Sequence, residues 1–123
     1  MNVKEWAEKL NNIEYPADEI WDMRKQFEED GVVVVYGASD DLIEFEGAIQ
    51  DEGDCYNDEV FYLNKEGLTT SYSKNYVKVT HPHDGTVQFN YETNIPNVEW
   101  FNVVEDGELY CKGFVFNIND LKG

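Results

Sequence analysis

No lysine or arginine occurs between Lys25 and Lys65, although the same stretch carries twelve carboxylates: Glu28, Glu29, Asp30, Asp40, Asp41, Glu44, Glu46, Asp51, Glu52, Asp54, Asp58 and Glu59. Without cations this region cannot neutralise phosphates, so nucleic acid and anionic membrane surfaces are poor partners for it. Glycine-rich phosphate loops are missing too: neither GxGxxG nor GxxxxGK[ST] occurs, which argues against a dinucleotide or P-loop enzyme. There are only two cysteines, Cys55 and Cys111, too few for a disulfide framework; reduced, half-buried thiols are the expectation. No run approaches 18 apolar residues and the opening MNVKEWAEKL has no apolar core, so the expected location is cytoplasmic. Low-complexity segments, internal repeats and Pro/Gly/Ser linkers are absent, and 1–123 reads as a single domain.

What is present is a chain of 123 residues with 41% hydrophobic and 15% aromatic content and a formal charge of −17. The length supports a real core. The charge exceeds what solubility needs and costs stability by self-repulsion, so a basic partner or a metal cation is the natural reason for it. Because the cation-free stretch also contains VVVVY and LIEFEGAI, it belongs to a folded element rather than to a disordered acidic tail.

Asn2 is placed to cap a first helix with Val3, Trp6, Ala7 and Leu10 at i, i+3, i+4 and i+7. Pro16 interrupts the chain, and Asp18 and Glu19 open a second helix with Ile20, Trp21, Met23 and Phe27 on its apolar side and Gly31 as its stop. The period then changes to 2. Val32 to Tyr36 predicts a central strand covered on both faces, and Leu42 to Ile49 a strand in which Ile43, Phe45, Gly47 and Ile49 alternate with Leu42, Glu44, Glu46 and Ala48. Further strands are expected at Glu59 to Leu63, Val87 to Tyr91, Val98 to Val104 and Leu109 to Ile118, with a hairpin turn at Glu105, Asp106, Gly107. Between Leu68 and His83 the pattern is ambiguous: Thr69 to Tyr72 and Tyr76 to Thr80 favour strand, while 71–75 also fits a loop. If Leu109 to Ile118 lay at a sheet edge, it would offer a surface for pairing. The economical architecture is α+β, two N-terminal helices packed on a mostly antiparallel β-sheet of about five to six strands.

Catalytic and metal chemistry find little support. The loop 51–59 fails the EF-hand spacing, since Gly53 stands where the second ligand belongs; an irregular calcium site on Asp51, Asp54 and Asp58 is the alternative. His81 and His83 flank Pro82 and need Cys55 or Cys111 nearby to hold zinc. Ser39 follows Gly37 and Ala38 in turn chemistry without a nucleophile motif. Glu44 and Glu46 as an acid and base pair lack anything to separate their pKa values. The expectation is a non-enzyme with no catalytic residues, no cofactor and no metal.

Geometry offers more. Side chains at i and i+2 on a strand stand about 6.6 to 6.8 Å apart, comparable to successive phosphates. Glu44 and Glu46, with Asp40, Asp41, Asp51, Glu52, Asp54 and Asp58 at or beyond the strand ends, therefore predict a row of anions able to compete with nucleic acid for a basic groove.

The blocks GVVVVYGASDDLIEFEGAIQDEGDCYNDEVFYL (31–63) and EDGELYCKGFVF (105–116) resemble a family of short acidic proteins of Gram-positive bacteria, their phages and mobile elements. Some proteins with a similar domain are anti-CRISPR inhibitors of the type II RNA-guided nuclease, acting on that nuclease or on its loading with guide RNA. In the family pattern the position of Glu46 is more often basic, so the acidic face is stronger here. The resemblance implies a type II CRISPR effector nuclease as protein partner, whose heteroduplex channel is positively charged, with no direct nucleic-acid contact. The expected contacts are Asp40, Asp41, Glu44, Glu46, Asp51, Glu52, Asp54 and Asp58; the alternative is an acidic structural or calcium-binding module.

Overall fold

The structure, a computed structural model, describes residues 1–14, 17–37, 41–45, 47–52, 59–69, 73–80 and 90–122; at 17–18, 37, 41–45, 50–52, 59, 67–69, 80 and 90 it describes the backbone alone. Helix α1 (Val3–Leu10) begins as its sequence requires: the Asn2 side chain accepts from the Glu5 amide and the Glu5 carboxylate accepts from the Asn2 amide, so two otherwise orphaned donors are satisfied. Trp6, Ala7 and Leu10 are buried, and α1 lies against one face of a sheet. After a two-residue strand β1 (Ile13–Glu14) comes the second helical stretch, which is split at Met23 into α2 (Ala17–Asp22) and α3 (Arg24–Asp30) where one continuous helix was expected. The Met23 amide bonds to the Ile20 carbonyl, an i→i−3 bond that tightens the turn, and the Arg24 guanidinium caps the freed Trp21 carbonyl at 2.9 Å. Gly31 ends α3 in the left-handed conformation, φ 69°, as its position predicts.

The ten strands among the described residues form two sheets. The larger contains β1, β2 (Val32–Gly37), β3 (Asp41–Phe45), β4 (Ala48–Glu52), β9 (Glu99–Glu105) and β10 (Glu108–Asn117) in the order β1-β9-β10-β2-β4-β3. The smaller contains β5 (Glu59–Asn64), β6 (Gly67–Thr69), β7 (Asn75–Thr80) and β8 (Asn90–Thr93) in the order β6-β5-β7-β8. The class is α+β and the pairing mostly antiparallel, with β1–β9 and β2–β4 parallel. The second sheet was not anticipated. Helices contact the large sheet through β9, β10, β2 and β4, while the small sheet meets it through β8 against β10 and β6 against β3. Covered on both faces, Val32 to Tyr36 are all buried, which is why β2 reads as an unbroken apolar run.

Two strand expectations are corrected. The segment from Leu42 to Ile49 is not one strand but a hairpin of β3 and β4 that turns at Gly47, φ 91°. A Cβ there would stand 3.3 Å from the Glu28 amide nitrogen, the Phe27 Cβ and the Val32 carbonyl oxygen, so the turn lies directly under α3 and demands glycine. The second correction concerns β10, which ends at Asn117; Ile118 begins a single 3-10 turn, and Val115 is as buried as Phe114 and Phe116 because both α1 and β8 pack on the strand, which lies between β9 and β2. It offers no free edge. The ambiguous region resolves in part: Tyr76 to Thr80 lies in β7, whereas 70–72 and 87–89 lie outside the described residues. The turn at Asp106 and Gly107 has φ 52° and 79°, the two positive values of a type I′ hairpin.

Asn75 is the buried polar side chain, and its amide joins the small sheet to the chain after β10. It donates to the Leu63 and Lys122 carbonyls and accepts from the Lys122 amide, at 3.1, 3.0 and 2.9 Å. Both amide donors and the amide oxygen are thereby partnered by backbone.

Candidate functional site

The outermost ladder of the large sheet, β3 on β4, carries half of the expected contact residues. Its register sets Asp41 opposite Glu52, Leu42 opposite Asp51, and Glu44 opposite Ile49. The parallel pairing of β4 with β2 sets Asp51 opposite Gly37 at the same end of the sheet. Asp41, Asp51 and Glu52 are therefore gathered at one end of an edge ladder. Directly opposed residues of an antiparallel pair have Cα atoms about 4.5 to 5.5 Å apart, so Asp41 and Glu52 are like charges held across a single rung.

Glu44 stands three residues along β3 from Asp41, about 10 Å at the usual strand rise, towards the Gly47 turn. The i, i+2 spacing expected of Glu44 and Glu46 involves a residue, Glu46, that lies outside the described residues. Asp40, Glu46, Asp54 and Asp58 lie outside the described residues, as do Ser39, Cys55 and the cluster His81, Pro82, His83. The alternative calcium set keeps only Asp51 among them. No group of three or more His, Cys, Asp or Glu side chains able to hold a metal occurs among the described residues. Cys111 is buried, on β10 opposite Val103.

The edge position of this ladder follows from the chain path. After β2 the backbone passes over one strand position to lay down β3, turns at Gly47, and inserts β4 between β3 and β2. The inner residues Ala48 and Ile49 are buried and anchor β4, while the acidic residues fall at its far end, Asp51 and Glu52. Apolar anchoring and charge are thus segregated along one strand.

A second carboxylate site was not anticipated. Asp30, at the last turn of α3, accepts from the Met1 ammonium at 2.9 Å and from the Trp6 indole Nε1–H at 2.7 Å. The ammonium first, and the indole second, hold its carboxyl below the usual carboxylate range. Trp6 also packs edge-on to Phe27, ring centroids 4.7 Å apart, so Asp30 ties α1 to α3. It is a structural tie and not part of the acidic ladder. The sequence signal was only that a carboxylate closes a helix, where the dipole disfavours it unless a cation is near.

The other surface missed by the charge pattern is apolar. Trp100 on β9 is exposed while Phe101 and Val103 beside it are buried. Strict alternation along β9 was the signal, because it sets Trp100, Asn102 and Val104 on the opposite face from Phe101 and Val103.

No described helix is long and apolar enough to cross a membrane. Comparison of the chain with protein-family models, with curated proteins and with solved structures finds no match.

Proposed function

We propose that the protein is an inhibitor that docks its acidic β3–β4 edge in a basic, nucleic-acid-holding groove of a partner protein and so blocks engagement of the nucleic acid. The observation that carries this reading is the register that gathers Asp41, Asp51 and Glu52 at one end of an edge ladder. Like charges opposed on a rung weaken a sheet by about 0.2 to 1 kcal/mol, and relief of that repulsion by cations strengthens binding to a basic surface. Asp40, Glu44, Glu46, Asp54 and Asp58 are the further contacts of this surface. A net charge of −17 speeds encounter with a cationic groove and repels competing anions. The resemblance of residues 31–63 and 105–116 to acidic inhibitor proteins points to the type II RNA-guided nuclease as the partner and to guide loading or DNA binding as the blocked step.

Gel filtration of the protein mixed with that nuclease, with and without guide RNA and at low and high salt, tests the proposal. A complex with the guide-free nuclease that weakens as salt rises is the expected result. Combined Asp41→Lys, Asp51→Lys and Glu52→Lys should abolish it. No complex at low salt, or undiminished inhibition by the triple variant, would sink the reading.

A further inference from the structure

The small sheet covers only part of the large sheet's face. Phe114 marks the margin: it is fully buried and meets Tyr91 of β8 with ring centroids 6.1 Å apart, while on its other side Trp100 packs at 5.0 Å and is 41% exposed. Beyond that margin the register continues the face outward, with Asn102 opposite Lys112 and Val104 opposite Leu109, which is 37% exposed. Trp100 and Leu109 therefore mark the two ends of one bare strip, four residues or about 13 to 14 Å apart along the strand. Large apolar groups grouped on one exposed face of a highly charged protein are the usual mark of an interaction surface.

The rim decides the partner. Glu14 stands opposite Val104 on β1, and Glu105, Asp106 and Glu108 surround the hairpin; all four are exposed, and the strip between them carries Lys112. A second copy of a chain with charge −17 is repelled from such a rim, and so is an anionic lipid surface. We infer that this strip docks an arginine-bearing basic segment of a partner protein, with the guanidinium stacked on Trp100 and the apolar part of the segment on Val104 and Leu109. Arginine is favoured over lysine because its planar, weakly hydrated head stacks on an indole. The chain already makes this contact internally, where the Arg24 guanidinium lies 4.0 Å from the Trp21 ring centroid. The strip is at the β9 side of the large sheet, the β3–β4 ladder at the opposite edge, and the inference stands without the ladder's proposed role.

The test uses hexa-arginine and hexa-lysine as probes, titrated into the full chain at physiological salt and followed by two-dimensional NMR of backbone and indole N–H groups. Hexa-arginine should bind about two- to fivefold tighter than hexa-lysine, with the largest shifts at the Trp100 indole and along β9 and β10. Trp100→Leu should erase that preference, and Leu109→Ser, a milder change at the other end of the strip, should weaken both peptides' shifts on β10. Combined Asp41→Asn, Asp51→Asn and Glu52→Gln should leave the arginine preference intact, which separates this surface from the ladder. Equal affinity for the two peptides, a preference that survives Trp100→Leu, or a concentration-dependent dimer abolished by Leu109→Ser would each overturn the inference.

Discussion

Strands β2 and β3 belong to one sheet with only β4 between them, and they carry opposite chemistry. Each residue from Val32 to Tyr36 is buried, with α3 packed against the strand and β10 and β4 on either side of it. β3 runs Asp41–Phe45 at the edge, its first residue opposing Glu52 as one carboxylate to another. β4 carries the change within itself, from buried Ala48 and Ile49 beside β2 to Asp51 and Glu52 at its end. The difference teaches where stability resides: apolar burial in the inner strands tolerates a charged edge whose repulsion is small on the scale of the core. Like charges left unpaired in the free protein cost least at an edge strand.

The sharpest way to break this contrast is to remove support from the inner strands. Phe27 is fully buried, edge-on to Trp6 and under the Gly47 turn. Phe27→Ala should lower stability by about 3 to 5 kcal/mol in urea denaturation; a loss below 1 kcal/mol would show that α3 is not a lid on the core. Gly47→Ala strikes the turn that joins inner to outer halves. Its φ of 91° and the 3.3 Å approaches of α3 leave no room for a methyl group without strain, at a cost of about 1 to 3 kcal/mol by the same measurement. An unchanged midpoint would mean that the turn relaxes freely.

Asp41→Asn acts on the edge alone and with the opposite sign. Relieving the charge opposed to Glu52 should raise stability by about 0.2 to 1 kcal/mol at low salt and by less at high salt, while weakening capture by a basic groove. A destabilised variant would contradict the repulsion argued from the register. Asp30→Asn tests a carboxylate that is paired with a cation. The folded-state pKa of Asp30 lies below its unfolded value, so its contribution is fully present above the unfolded value near 3.9 and fades as pH falls through the folded one. Thermal melts should therefore separate the two proteins at neutral pH and bring them together in acid. Parallel curves at every pH would remove Asp30 from the list of acid-sensitive ties.

Much of the fold was legible because its signals are local. The Asn2 and Glu5 capping box, the left-handed Gly31 stop and the Asp106–Gly107 turn depend on residues within a few positions of one another. The break at Gly47 was not legible, since the alternation of Ile43, Phe45 and Ile49 runs through it without interruption. The glycine was the only mark, and its meaning came from α3, whose Phe27 and Glu28 a Cβ at this position would approach to 3.3 Å. Neither was the second sheet: β5, β6, β7 and β8 were visible in part as separate strands, but nothing in a strand's own pattern states which sheet it joins. For the site, the gathering of Asp41, Asp51 and Glu52 rests on a register between segments ten residues apart, while the placement of Trp100 on an uncovered face depends on where β8 ends.

The sequence by itself determined the charge, the cation-free stretch, the caps and turns, and the alternating or continuous burial of individual strands, because these follow from side-chain chemistry and from backbone preferences over a few residues. Only the tertiary structure decided that β3 and β4 form a hairpin at the sheet's edge, that Asp30 spends its charge tying α1 to α3, and that Trp100 remains outside the core. Each of those depends on which distant segment occupies the neighbouring space, and long-range packing, not local preference, chooses the neighbour.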